Sequence, residues 1–311
     1  MNFENLNIWS VTDGSQGMIS QTNGLAKQFS TKVTQIKTDL VFPWNKLQPG
    51  ILPIYKWIFK IEIPNNIVPD MVISCGRKSI YLSLYLKKKY KQIINIHIQN
   101  PKISSENFNF VISPNHDNFY GKNILNSVGA LHHFTHIKNN SKENLLTCII
   151  GGDNQHYYFD KKEIIDLCEK ILEIKKNNND LKLLFITSRR TSKKIKKILL
   201  EKMNSISTIW TGEGTNPYEY ALKNSSFFIV TSDSTSMISE SAVTNKPIYI
   251  FHLPFKRKSK RIENFHKEFN SLGITRNLEN IKLLQKWTYD SLNESKRIAS
   301  IIKKRIIEEN L

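Results

Sequence analysis

A chain of 311 residues, 40% of them hydrophobic, is long enough for two domains of ordinary size and has enough apolar material for sizeable cores, which excludes an intrinsically disordered protein. Lys and Arg number 45 against 27 Asp and Glu, a net charge of +18 that favours phosphate-bearing partners, although a chain this crowded with Lys, Asn and Ile also gains such an excess from composition alone. No apolar run reaches the ~18–20 residues a membrane span needs, the start Met1-Asn2-Phe3-Glu4 lacks the basic-then-apolar pattern of a secretory leader, and Cys75, Cys148 and Cys168 have no metal spacing and suit free thiols in a reducing cytoplasm.

Short apolar runs alternate with helical stretches from end to end, the rhythm of parallel sheets wrapped by helices. The first series predicts strands over 7–12, 32–36, 71–74, 93–99, 110–113 and 123–127, with helices over 18–30 and 78–90. Residues 42–63, with Trp44, Trp57 and three prolines, read as an irregular or partly helical insertion covering the sheet edge. The polar run 136–144 predicts a domain boundary, giving domains over 1–138 and 139–285. The second series predicts strands over 145–150, 181–187, 207–210, 227–231 and, last, 247–251, and helices over 161–175, 192–203, 217–222 and 235–244. Asn216 is the expected cap and Pro217 the expected first residue of the short helix. Residues 286–311 have the periodicity of one long charged amphipathic helix, which by analogy with two-domain transferases packs back toward the first domain.

Open α/β sheets bind ligands beyond the carboxyl ends of their strands, so the strand-end loops are where function is sought. After the first strand comes Asp13-Gly14-Ser15-Gln16-Gly17, where Gly14 and Gly17 let main-chain N–H groups approach a ligand; it is not GxGxxG, and its plainer reading is a tight turn with Asp13 as a helix cap. Ser74-Cys75-Gly76-Arg77 places Arg77 to meet an anion at a helix start, against simple capping, and Cys75 reads as a small buried residue. Ser113-Pro114-Asn115-His116-Asp117 offers His116 and Asp117 as a base, although adjacent residues rarely face one another; with His132 and His133 they form no zinc spacing. The most specific region is Thr187-Ser188-Arg189-Arg190-Thr191 together with 231–240. There Ser234, Thr235 and Ser236 offer donors to a diphosphate, Arg189 or Arg190 neutralises its charge, and Glu240 is placed to hold ribose hydroxyls. Two basic runs remain. Residues 193–197 read as the solvated face of a helix. Lys256, Arg257, Lys258, Lys260 and Arg261 read as a loop suited to an anionic membrane surface or polyanionic substrate.

Taken together, 9–21, 69–77, 114–117, 150–154, 187–191, Asn216-Pro217-Tyr218 and 231–240 resemble the mitochondrial fission factor family of plants and bacteria, over most of the chain. The resemblance implies two Rossmann-like parallel-sheet domains facing a cleft, a glycosyltransferase-B-like (GT-B-like) architecture. It also implies an N-terminal acceptor-side domain and a C-terminal nucleotide-binding domain. Bacterial members look like sugar transferases, and plant members are linked to recruiting a dynamin-type GTPase to the outer mitochondrial membrane. For this chain the resemblance implies a nucleotide sugar as donor substrate, no bound metal or cofactor, Ser234–Glu240 as the nucleotide element, and a base drawn from Asp13, His116 or Asp117. The expected function is sugar transfer from a nucleotide-diphosphate donor to a cell-envelope acceptor, with a cytoplasmic location, peripheral at the inner face of the membrane. The alternative is a non-catalytic membrane-associated scaffold that retains the fold. Nucleic-acid binding ranks last, for want of an aromatic-and-basic RNA motif or a helix-turn-helix.

Overall fold

The computed structural model describes residues 3–64, 67–134, 137 and 144–310. In chain order its elements are β1 (Ile8–Thr12), α1 (Gln16–Ala26), β2 (Val33–Lys37), β3 (Met71–Cys75), α2 (Arg77–Lys89), β4 (Ile94–Ile98), β5 (Phe110–Pro114) and β6 (Ile124–Ser127). A second series follows: β7 (Leu145–Ile150), α3 (Lys161–Lys176), β8 (Lys182–Thr187), α4 (Lys193–Met203), β9 (Thr208–Trp210), α5 (Tyr218–Asn224), β10 (Phe227–Thr231), α6 (Thr235–Ser241), β11 (Ile248–Phe251), α7 (Lys260–Ser271), β12 (Thr275–Asn277) and α8 (Glu294–Glu308). The chain divides into two compact units, one of residues up to 135 together with 293–311, the other of 136–292. Of the run 136–144 expected as a boundary, only 137 and 144 lie within the described residues.

The first unit is a parallel sheet of order β2-β1-β3-β4-β5-β6. β1, β3, β4 and β5 are buried at every position, because a parallel sheet is covered on both faces, so its strands are mostly apolar and carry only a few buried polar residues such as Asn95 and His97. Alternate residues divide between the two covers. Ile8, Met71, Ile73, Ile94 and Ile96 meet Leu25 and Ala26 of α1, Phe29 in the turn after it, and Ile298, Ile302 and Ile306 of α8. Trp9, Val11 and Val72 meet Tyr81, Leu82 and Leu86 of α2 and, from the irregular segment, Leu40, Trp44, Ile58 and Phe59. That segment is mostly irregular, as its prolines predict, with one short 3₁₀ turn at Lys56–Ile58, and it covers a sheet face rather than only an edge.

The second unit is a parallel sheet of order β12-β11-β10-β7-β8-β9. Leu146, Cys148, Ile150, Leu183 and Phe185 meet Ile164, Leu167 and Ile171 of α3 and Ile195, Leu199 and Met203 of α4. On the other face Leu145, Leu184 and Ile186 meet Ala221 of α5. The lysines at 193–197 start α4 with Ile195 buried beneath them, the solvated-face arrangement expected.

Several elements depart from expectation. The expected strands end at 247–251, so β12, and α7 before it, are additions; α7 is very polar but buries Phe265 and Phe269 on one side. α5 begins one residue late, with Pro217 at the cap and Asn216 Oδ1 accepting from Tyr218 N at 3.0 Å. α8 has 15 residues, shorter than the helix expected, because the preceding segment is held by other bonds. Tyr289 donates to the Lys246 carbonyl at 2.8 Å and Ser291 to the Val243 carbonyl at 2.6 Å. α8 is fixed to the first unit at its start: Glu294 is buried, accepts from Val128 N at 2.8 Å, and is gripped by Arg297 at 2.6 and 2.7 Å.

Candidate nucleotide-diphosphate site

Each sheet has a point where strand order reverses, and ligands of open α/β sheets sit beyond the strand ends there. In the second unit it lies between β7 and β10: β8 and β9 extend one way from β7, and β10, β11 and β12 the other. Three loops meet at this point. Gly151 N donates to Thr231 Oγ1 at 2.8 Å and Gly152 N to Asp233 Oδ2 at 3.0 Å, joining the loops after β7 and β10. Thr191 Oγ1 donates to the Ile150 carbonyl at 3.1 Å and Ser188 N donates to Thr191 Oγ1 at 3.0 Å, joining the loop after β8. The glycines are obligatory. A Cβ on Gly151 would lie 2.1 Å from the Asp233 carboxylate, and one on Gly152 would lie 2.1 Å from the Arg190 carbonyl.

Asp233 is the residue that sequence reasoning missed, passing over it as one member of a hydroxyl-rich run. Its side chain is 0% exposed, and Arg190 Nη2 lies 2.8 Å from its Oδ2 while the Arg190 side chain keeps 40% exposure. Thr231 Oγ1 donates to Asp233 Oδ1 at 2.6 Å. Burial pushes the Asp233 carboxyl above its ordinary range, against which Arg190, Thr231 and the Gly152 N–H favour the charged form. The signal for Asp233 was the pairing of a Gly-Gly strand end with an acid at the end of another strand, visible only once β7 and β10 are known to be neighbours.

The other expected residues of this unit are placed as follows. Ser188 Oγ accepts from Arg190 N at 3.2 Å, and Arg189 is exposed. Ser234 caps α6, its Oγ accepting from Met237 N at 3.4 Å, and Thr235 and Ser236 are half-buried in the first turn. Glu240 is half-buried and accepts from the Tyr218 hydroxyl at 2.7 Å. Burial, with the Glu240 carboxylate beside it, pushes the Tyr218 phenol well above its ordinary range, so Tyr218 remains a donor to Glu240. The bond to Asn216-Pro217-Tyr218 thus orients the carboxylate expected to hold ribose.

In the first unit the reversal lies between β1 and β3. Asp13 is exposed and its Oδ1 accepts from Ser15 N at 2.9 Å, so it turns the loop, while Ser15 rather than Asp13 is the cap residue of α1. Gly14 has a φ of +90°, which favours glycine, and Gly17 is exposed. Arg77 does not stand free for an anion: its guanidinium donates to the main-chain carbonyls of Trp44, Asn45 and Leu47 and so clamps the irregular segment. His116 and Asp117 follow β5, three strands and about 14 Å from the end of β1. His116 Nε2 lies 3.9 Å from Asp117 Oδ1, beyond hydrogen-bond range, and the imidazole is only 2% exposed. His133 Nδ1 meets Ser20 Oγ at 2.8 Å and the His132 carbonyl accepts from Ser295 Oγ at 2.9 Å, ties to α1 and α8. The thiols of Cys75, Cys148 and Cys168 are buried, and burial raises all three above the ordinary range, which leaves them protonated and unreactive.

The basic run 256–261 is only partly a loop, since Lys260 and Arg261 open α7. Lys256, Arg257, Lys258, Lys260 and Arg261 are exposed. Lys256 is paired with Asp153 and lies over the Tyr158 ring, 5.0 Å from its centre. Among the described residues no helix is long and apolar enough to cross a membrane.

Solved structures place this architecture. A UDP-N-acetylglucosamine 2-epimerase superposes with a TM-score of 0.57, covering 99% of this chain and 97% of its own at 13% identity. The S. aureus MnaA–UDP co-structure superposes with a TM-score of 0.50, covering 97% and 88% at 12% identity. At such identities the likeness concerns the fold, which is GT-B-like. By sequence, an uncharacterized protein of Rickettsia prowazekii (strain Madrid E), RP120, is 29% identical over 96% of this chain and 98% of its own length. The mitochondrial fission protein ELM1 of Arabidopsis thaliana is 22% identical over 76% of this chain but only 64% of its own length. The family described as mitochondrial fission ELM1 matches residues 16–306, nearly the whole chain, and the protein belongs to that family.

Proposed function

We propose that this protein binds a nucleotide-diphosphate sugar through its second unit and transfers the sugar to a cell-envelope acceptor without a bound metal. The observation that carries the reading is the half-exposed Arg190 held on buried Asp233 where the sheet order reverses, with Glu240 oriented by Tyr218 on the neighbouring helix. The fold shared with a structure recorded with UDP supports it. In the transfer, a base removes the proton of the acceptor hydroxyl, whose oxygen forms a bond to the sugar's anomeric carbon. The bond from that carbon to the phosphate oxygen breaks, and the nucleoside diphosphate leaves with the electron pair. Arg190, with Arg189 beside it in the chain, offsets the charge that develops on the leaving group. Glu240 accepts from the ribose hydroxyls. Asp13 is the exposed candidate for the base. The basic run 256–261 holds the protein against an anionic membrane at its cytoplasmic face.

The test is a thermal-shift screen of nucleoside diphosphates and their sugars at millimolar concentration, followed by assay of nucleoside diphosphate release. Stabilisation by one base, with turnover of its sugar, is the expected result; no stabilisation by any of them overturns the reading. A second reading, a membrane-associated scaffold that keeps the fold but not the chemistry, is favoured by the burial of His116. Stabilisation by a nucleotide with no turnover of any sugar donor would select it.

A further inference from the structure

We propose that Asp233 is a positioning residue for diphosphate binding: it holds the Arg190 guanidinium in place for the anion, a role that rests on the reading of Arg190 given above. Both carboxylate oxygens are engaged. Oδ2 accepts from Gly152 N at 3.0 Å and Arg190 Nη2 at 2.8 Å, and Oδ1 from Thr231 Oγ1 at 2.6 Å. Arg190 is therefore held at both ends. Its main chain packs so closely on Gly152 that no side chain fits between them, its N–H donates to Ser188 Oγ, and its guanidinium rests on Asp233.

A guanidinium has five N–H donors in a fixed fork, so the contact with Asp233 leaves others for an anion on the exposed side. The carboxylate is 0% exposed, and its partners include main-chain and hydroxyl groups within the fold. A phosphate cannot take its place without dismantling the three loops, so Asp233 holds the arginine rather than competing with the ligand for it. Fixing a long side chain before the ligand arrives removes an ordering cost from binding.

The experiment is calorimetric titration of the full chain with inorganic pyrophosphate, UDP and uridine, using wild type, Arg190→Gln, Asp233→Asn and the double variant. Each single substitution is expected to weaken pyrophosphate and UDP by about ten-fold or more and to leave uridine unchanged. The double variant is expected to bind pyrophosphate no more weakly than Arg190→Gln alone. Asp233→Asn binding pyrophosphate as tightly as wild type, or more tightly, overturns the proposal, as does an equal loss for uridine, which would mark a merely structural role. If Asp233→Asn does not fold, Arg190→Lys serves: it keeps the charge but not the fork, and wild-type affinity in that variant is equally fatal. Wild-type protein that binds no pyrophosphate and no nucleoside diphosphate fails at the earlier step, overturning the nucleotide reading and this assignment with it.

Discussion

The two sheets have six parallel strands each and a single reversal of strand order each, yet the loops at the two reversals use their charges differently. In the first unit Arg77 spends its guanidinium on main-chain carbonyls, and Asp13 closes its own turn. In the second, the acid is buried and the arginine resting on it keeps 40% of its surface. The same topology thus yields a clamp in one unit and a presented cation in the other. What separates them is whether the arginine's partner is the backbone of a covering segment or a side chain below the strand ends.

If the units differ only at their strand ends, their cores should respond alike. Ile302→Ala in α8 and Phe185→Ala in β8 empty fully buried sites, and each is expected to cost about 2–5 kcal/mol in urea unfolding. A negligible cost at either position would show that the cores are not equivalent. Smaller effects follow at two glycines that each lie against a carbonyl. A Cβ on Gly24 would lie 2.1 Å from the His132 carbonyl, and one on Gly152 2.1 Å from that of Arg190. Either alanine substitution should cost roughly 1–3 kcal/mol, but only Gly152→Ala should abolish the thermal shift produced by pyrophosphate. The comparison breaks if Gly24→Ala does the same.

Arg77→Ala should lower stability by about 1–3 kcal/mol, since a charged donor leaves three carbonyls, with pyrophosphate affinity unchanged in the same calorimetric assay. Loss of pyrophosphate binding without loss of stability would move the anion site to the first unit.

A last difference between the units concerns pH. All the fully described buried histidines, His97, His116 and His132, belong to the first unit. Burial pushes His97 down from 6.5 to about 3, and its ring bonds Ser74 Oγ at 2.9 Å. As pH falls the unfolded chain takes up this proton first. The stability contributed by neutral His97 is therefore complete above its ordinary pKa and is lost as pH falls from 6.5 toward 3, at no more than about 1.4 kcal/mol per pH unit. Urea midpoints measured from pH 7 to 4 should fall less steeply in His97→Asn; equal slopes would contradict the assignment.

The amino-acid sequence alone determined every strand but β12, the parallel arrangement and the family. Strands such as Leu145–Ile150 are buried on both faces and are therefore mostly apolar, so they stand out as short runs between amphipathic helices such as Lys161–Lys176. It also marked the strand-end loops by their glycines, hydroxyls and arginines. α7 escaped notice because its buried side amounts to a few residues in a very polar stretch. Only the tertiary structure decided which charges serve the fold and which face outward. Arg77 and Arg190 both follow strands, and the difference between them is made by residues distant in the chain, the 44–47 carbonyls in one case and Asp233 in the other. Hydrogen bonds are short-ranged and directional, so their partners are set by which strands become neighbours, and the pairing of β7 with β10 is a property of the folded sheet.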